Sequence, residues 1–204
     1  MNFFQKIFVG FLNIFYPIKI FGKENIIDGS CLIVCNHLSV VDSLYMAKCF
    51  KKHKKAFVSK KEVFENKLIA KIVSSFGAIS VDREQPDVSS MLKIVKKIKL
   101  GHKIVIFPEG TRNKGKTTEL LPIKGGSGVF AVKGKVPILP LSIYRRAKFL
   151  QPNYMIIGKT FYLDSFYDKH LTNEDISSIS SIITESIYEQ QRALYKKLAE
   201  NKRA

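Results

Sequence analysis

The chain has 204 residues, 46% of them hydrophobic, with no linker, repeat or low-complexity tract, which argues for one globular domain with a sizeable core and against a divided chain. Its formal charge of +17 points to an anionic partner: nucleic acid, anionic lipid or an acidic carrier protein, with part of the lysine excess forming solvated helix faces. Cys31, Cys35 and Cys49 are odd in number and lack metal-type pairing with His, so they read as small buried hydrophobes of a reduced compartment.

The first predicted element is a helix over residues 1–17. Wound at about 100° per residue, Asn2, Lys6, Asn13 and Pro17 fall on one side and Phe4, Ile7, Phe8, Phe11 and Phe15 on the other. That is the stripe of a helix lying in a membrane interface, although a core helix would show it too. The longest uncharged run, Ile7 to Ile18, is twelve residues, short of the roughly 20 needed to span a bilayer. There is no cleavable signal pattern.

Strands follow at Ile18–Phe21, Leu32–Val34, Ala56–Val58, Ala78–Val81, Ile104–Phe107 and Ile138–Ile143. Helices are expected between them at Val41–Phe50, Lys67–Ser74, Val88–Leu100 and Gly126–Val132. Ile176, Ile179, Ile183, Ile187, Leu194 and Leu198 keep a helical period, so the tail reads as a long closing helix that serves packing. The alternation predicts an α/β fold for residues 18–204: a single domain with a mostly parallel central sheet flanked by helices. Its functional groups should gather in loops at one end of the strands.

Two short segments carry chemistry. In Asn36-His-Leu-Ser-Val-Val-Asp42, five residues separate His37 from Asp42, about 140° on a helix, so one of them must sit in a turn. Ser39-Val-Val-Asp42 has the form of a capping box, which would start a helix at Ser39, leave His37 in the preceding loop and place Asp42 in the first turn. An imidazole oriented by that carboxylate can take a proton from a hydroxyl; the plain alternative is that Asp42 only caps the helix. Cys35, two residues before His37, raises a covalent route through the thiol, against which stands a simple core thiol.

The second segment is Phe107-Pro-Glu-Gly-Thr-Arg112, after an apolar strand. Gly110 permits a tight turn, and the Arg112 guanidinium can grip phosphate oxygens as a fork. Glu109 cannot bind phosphate itself and is expected to position Arg112 or a substrate hydroxyl. Glu109, Gly110, Thr111 and Arg112 are thus the candidate substrate-binding turn. Arg83 offers a second guanidinium from the end of a neighbouring strand, Lys60 and Lys61 add charge at the same mouth, and Lys124 precedes a glycine-rich turn that opens a helix. Val136-Pro-Ile-Leu-Pro140 forms either a wall for an apolar substrate chain or a core strand.

Gly110 to Thr117 also satisfies the G-x-x-x-x-G-K-[ST] phosphate-loop pattern. Pro122 and the Gly125-Gly126 pair break the helix that such a loop must open, so nucleotide hydrolysis is not expected. His53, His102 and His170 read as structural or solvated, and no metal site is implied.

In order, Asn36-His37-x-Ser39-x-x-Asp42, Gly77-Ala-Ile-Ser-Val-Asp-Arg83, Phe107-Pro-Glu-Gly-Thr-Arg112 and Val136-Pro-Ile-Leu-Pro140 resemble the four motifs of the glycerolipid acyltransferases. Ser80, where an aromatic residue is usual, and Asn113, where Ser is common, depart from the pattern and bear on acceptor preference. The resemblance is greatest to members that acylate 1-acylglycerol 3-phosphate, and it implies a glycerol-3-phosphate acyltransferase-like fold with His37 as base and Asp42 as its orienting carboxylate. It implies an acyl-ACP or acyl-CoA co-substrate and no cofactor. The expected partners are lysophosphatidic acid, the acyl carrier protein or CoA thioester, and an anionic membrane surface. The expected location is peripheral or monotopic on the cytoplasmic face of a membrane. A basic nucleic-acid-binding module is the reading from another class, but no helix-turn-helix, stacking platform or zinc finger pattern supports it, and nucleic acid is not an expected partner.

Overall fold

The computed structural model describes residues 7, 10, 11, 13–81, 88–115, 119–123 and 125–201. Its strands are β1 (Ile18–Phe21), β2 (Leu32–Cys35), β3 (Lys55–Lys60), β4 (Ala78–Val81), β5 (Lys103–Ile106), β6 (Ile138–Ile143) and β7 (Asn153–Ile157). They form one sheet in the order β1-β7-β6-β2-β5-β3-β4. The pairs from β6 across to β4 are all parallel, whereas β7 is antiparallel to β6 and carries β1 parallel to itself. Five strands therefore end at one edge of the sheet, and the loops that carry His37, Lys60 and Glu109 to Arg112 leave from that edge.

The central strands β2 and β5 are buried at every position, which is why Leu32–Cys35 and, after Lys103, Ile104–Ile106 read as unbroken apolar runs rather than alternating ones. Their period of two deals side chains to two cores. Leu32 and Val34 meet Ile94 and Ile98 of α4 (Val88–Lys99) and Ile179, Ile183 and Ile187 of α6 (Asn173–Glu200). Ile33 and Cys35 face the other way, onto Tyr45 and Met46 of α2 (Val41–Cys49) and onto Phe50. Each such aliphatic side chain contributes about 1.5–3 kcal/mol of transfer free energy. Cys31 and Cys35 lie in the second core as expected; Cys49 is only partly buried, and all three thiols are free.

Lys103 opens β5 fully buried, with Nζ donating to the carbonyls of Ile27 at 2.6 Å and Gly29 at 2.7 Å. A buried ammonium is tolerated only with such partners, so this lysine staples the 27–29 turn to the end of the sheet. At the other end of the chain α6 opens on a capping box, Thr172 Oγ1 accepting from Asp175 N while Asp175 Oδ2 accepts from Thr172 N.

Most element boundaries fall within two residues of the sequence reading, with two differences and one choice between alternatives settled. Strand β7 is absent from that reading; it follows a polar loop and pairs with β6 on its return. The expected Gly126–Val132 helix is instead a single 3-10 turn, Gly125–Ser127, followed by α5 (Val129–Gly134). Gly128 belongs there for packing, because a Cβ at that position would stand 2.2 Å from Ile179 Cγ2 of α6. Finally, Val136 to Pro140 is core: it leads into β6, which pairs with β2 in the middle of the sheet.

Beyond the turn at Gly110 the described residues 111–115 and 119–123 contain no helix, so no helix N-terminus faces a nucleotide there. In the N-terminal stretch the described residues 7, 10, 11 and 13–15 are helical and form α1. Asn2, Phe4, Lys6 and Phe8 lie outside the described residues. Among the described residues no helix is long and apolar enough to cross a membrane. The last helix before β4, α3 (Lys67–Ser75), returns the chain along the sheet.

Candidate active site

His37 leaves the end of β2 in a loop, as the spacing requires, and Asp42 occupies the first turn of α2. The helix begins at Val41 rather than at Ser39, and the capping box forms only in part. Ser39 N donates to Asp42 Oδ2 at 2.6 Å, but Ser39 Oγ is turned to donate to Asp42 Oδ1 at 3.1 Å and accepts from Val41 N. Asp42 is completely buried and also accepts from Leu38 N at 2.6 Å and from the imidazole Nδ1 of His37 at 3.0 Å. Four donors thus satisfy a carboxylate that water cannot reach. With Nδ1–H committed to Asp42, the tautomer leaves the Nε2 lone pair of His37 free to accept a proton.

The turn after β5 builds the base from the other side. Gly110 N donates to Phe107 O at 3.0 Å, and Gly110 adopts φ 73°, a left-handed conformation that glycine takes without the Cβ penalty. This turn aims Glu109 inward, where both carboxylate oxygens are occupied by backbone: Oε1 accepts from His37 N at 2.6 Å and Oε2 from Leu121 N at 2.9 Å. The sequence alone suggests that this side chain positions Arg112 or a substrate hydroxyl; its geometry instead fixes the His37 peptide and the 119–121 stretch of loop. Burial pushes the Glu109 carboxyl above the usual glutamate range, and the two N–H donors oppose that rise.

Asn113 completes the clamp. Its N–H donates to His37 O at 2.7 Å, its Nδ2 donates to Glu119 O, and its Oδ1 accepts from Gly115 N. The His37 peptide is therefore held at both ends by one segment, and the imidazole stacks on the Phe107 ring with centroids 4.0 Å apart and planes 15° apart. Asn36 fastens the loop laterally, Nδ2 donating to Ile143 O and Oδ1 accepting from Ile143 N, which extends the β2–β6 pairing beyond the strand end.

Arg112 and Thr111 are exposed at the mouth. Lys60 stands at the end of β3 opposite Val81 of β4, on the same edge but two strands from His37. Arg83 and Lys124 lie outside the described residues. Cys35 is buried, and burial together with the nearby Asp42 and Glu109 carboxylates raises its thiol well above the ordinary cysteine range, so it is not a poised nucleophile. A cavity of about 740 Å³ between β7 and α6, lined by Ile157, Gly158, Ser186 and Gln190 among others, shares no residue with this cluster.

The sequence reading assigns no role to Asn36, Phe107, Asn113 or Tyr188. The first three stand inside or beside the quoted motifs, and that adjacency is their signal. Tyr188 of α6, whose hydroxyl accepts from Leu120 N at 3.1 Å, has no such signal, and it gives the closing helix a hold on the site loop beyond packing.

A model of the acyltransferase family matches residues 17–144, a span that contains His37, Asp42 and the whole 107–113 turn. The chain belongs to the acyltransferase family. Among its relatives is the 1-acyl-sn-glycerol-3-phosphate acyltransferase of Bacillus subtilis, 29% identical over 87% of this chain and 89% of that protein. The acyltransferase of the same name from Helicobacter pylori is 34% identical over 59% of this chain and 51% of its own length. Several other acyltransferase relatives are also longer: the match spans 42% of the Streptococcus pneumoniae protein. The crystal structure of the 1-acyl-sn-glycerophosphate acyltransferase of Thermotoga maritima matches the fold with a TM-score of 0.64, at 22% identity, over 91% of this chain and 76% of that one.

Proposed function

We propose that this acyltransferase moves a fatty acyl group from a thioester, carried by acyl carrier protein or CoA, to the free hydroxyl of 1-acyl-sn-glycerol 3-phosphate, giving phosphatidic acid. The observation that carries the chemistry is the 3.0 Å contact between His37 Nδ1 and Asp42 Oδ2, which leaves Nε2 as a proton acceptor. The names of the relatives support the acceptor.

In this reading the acceptor hydroxyl gives its proton to His37 Nε2 as its oxygen bonds to the thioester carbonyl carbon. The tetrahedral intermediate then collapses, the C–S bond breaks, and the departing thiolate takes the proton back from the imidazolium. Asp42 holds the ring and stabilises its charged form; it does not itself take the proton. Arg112, with Arg83, Lys60 and Lys124, is assigned to the phosphate, where a guanidinium fork is the favoured partner. Glu109, Gly110 and Thr111 shape the turn that presents it. Residues 1–17 are assigned to the interface of an anionic membrane on its cytoplasmic side, and residues 18–204 to catalysis. The exposure of Ile7, Phe11 and Ile14 supports that assignment, because a helix packed on the core would bury them.

Transfer of labelled acyl groups from each carrier onto lysophosphatidic acid in vesicles tests the reaction and identifies the donor. Wild type and Cys35→Ala should form phosphatidic acid, and His37→Ala should lose about 10²–10⁴-fold in kcat. Loss of transfer in Cys35→Ala with retention in His37→Ala would overturn the mechanism, and wild-type transfer only to glycerol 3-phosphate or another lysolipid would overturn the acceptor. Arg112→Ala should raise KM for the phosphate-bearing acceptor about tenfold and leave a phosphate-free acceptor unaffected.

A further inference from the structure

β6 ends at Ile143, bonded to Asn36, and β7 begins at Asn153, so the loop of residues 144–152 lies on the same edge of the sheet as His37. β1 runs parallel to β7 with Ile18 opposite Asn153, so α1 arrives at this edge as well. The two are joined there: Leu150 N donates to Phe15 O at 2.6 Å, Asn153 N donates to Pro17 O at 2.8 Å, and the rings of Phe15 and Phe149 stack 5.4 Å apart.

Although joined, they leave their apolar side chains in water. Ile7, Phe11 and Ile14, one face of α1, are 53%, 58% and 66% exposed, and Phe149 and Leu150 are 59% and 58% exposed. Leu150 has φ 54°, a left-handed conformation unfavourable to a residue with a Cβ. Its N–H bond to Phe15 holds it so, while Arg145 closes the base of the loop by donating to Gln151 Oε1 and Pro152 O. This conformation ties the loop to α1 through the Leu150 N–H while turning the leucine side chain away from the core, so its apolar surface is left for something outside the folded chain. Arg146 and Lys148 are exposed in the same loop. A continuous apolar patch rimmed by cations has the chemistry of an anionic lipid interface.

We propose that the β6–β7 loop is a second membrane-insertion element acting with α1, Phe149 and Leu150 entering the interface of an anionic leaflet while Arg146 and Lys148 meet its headgroups. The proposal rests on the membrane-associated lipid acyltransferase reading and adds an orientation to it. Two points of attachment fix the sheet edge that bears His37 toward the leaflet, so a lipid acceptor is presented to Nε2 without leaving its membrane.

The chain contains no tryptophan, so Phe149→Trp in the full chain gives a single fluorescent reporter. Mixed with phosphatidylglycerol vesicles, its indole emission should shift to the blue and be shielded from an aqueous quencher, with a much weaker response to phosphatidylcholine vesicles. Leu150→Asn tolerates the left-handed backbone while removing the apolar contact; by sedimentation it should bind phosphatidylglycerol vesicles about tenfold more weakly, with its melting temperature maintained. Vesicle binding with unshifted indole emission, or unchanged binding by Leu150→Asn, would overturn the proposal, as would failure to bind phosphatidylglycerol vesicles at all. Because emission is read without turnover, a shifted indole with no acyl transfer would support docking while removing the proposed function, and transfer with no shift would do the reverse.

Discussion

The segment from β2 into the first turn of α2 and the turn after β5 each present a buried carboxylate, yet the two make different use of it. Asp42 divides its acceptor capacity between backbone N–H groups and the imidazole, so its charge is felt at the atom that would react. Glu109 commits both oxygens to backbone, at His37 N and Leu121 N, and none to the imidazole ring. One carboxylate sets the electronic state of His37 and the other sets where its peptide stands. A motif carboxylate can therefore act by holding main chain, and its effect on catalysis then passes entirely through geometry.

Asp42→Asn tests the first half of that contrast and should have the larger effect. The amide carries no charge to stabilise the imidazolium, and its NH₂ either meets the Ser39 hydroxyl in place of Oδ1 or turns to face the donors now shared by Oδ2, so kcat should fall about 10²–10⁴-fold, read by single-turnover transfer. Glu109→Gln should lose about tenfold, because one backbone N–H then faces an amide NH₂ instead of an oxygen, a cost of about 1–3 kcal/mol for the unpaired donor. Thermal melting should show that cost as well as the kinetics. Equal losses in the two variants would erase the distinction.

The pH dependence of Glu109 sharpens the contrast. Burial raises its folded-state pKa, so the folded protein holds this proton more tightly than the unfolded chain does. The sign follows: its contribution to stability is fully present below the ordinary glutamate range and is lost as pH rises through that range to the raised value. Wild type should lose stability relative to Glu109→Gln across that interval when urea midpoints are compared, and parallel curves would contradict the assignment. The smallest effect is expected from Asn113→Ala. The backbone bond to His37 O survives that change and only the ties to Glu119 O and Gly115 N are lost, so KM should rise about threefold with kcat nearly unchanged.

Much of this arrangement is legible in the residues themselves, for reasons that particular positions show. The run Leu32 to Cys35 is apolar without alternation because β2 is covered on both faces, and that announces a central parallel strand. His37 falls in a loop because five residues cannot bring it and Asp42 onto one helix face. Strand β7 is less visible, since its pairing depends on where β6 leaves room for a returning chain. The amphipathic stripe of α1 leaves core and interface unresolved, because hydrophobic periodicity records that a face is apolar and not what lies against it.

Sequence alone determined the α/β alternation, the placement of His37 in a loop with Asp42 in the helix that follows, and the turn at Gly110, because each follows from local spacing and from the conformations its residues allow. Tertiary structure decided the rest: that Glu109 and Asn113 grip the peptide of His37, that Phe107 lies under its ring, that Cys35 is buried too deeply to ionise readily, and that α6 reaches the site through Tyr188. Those contacts join residues distant in the chain, 72 positions apart in the case of His37 and Glu109. They exist only because parallel pairing of β2 with β5 brings the two strand ends side by side.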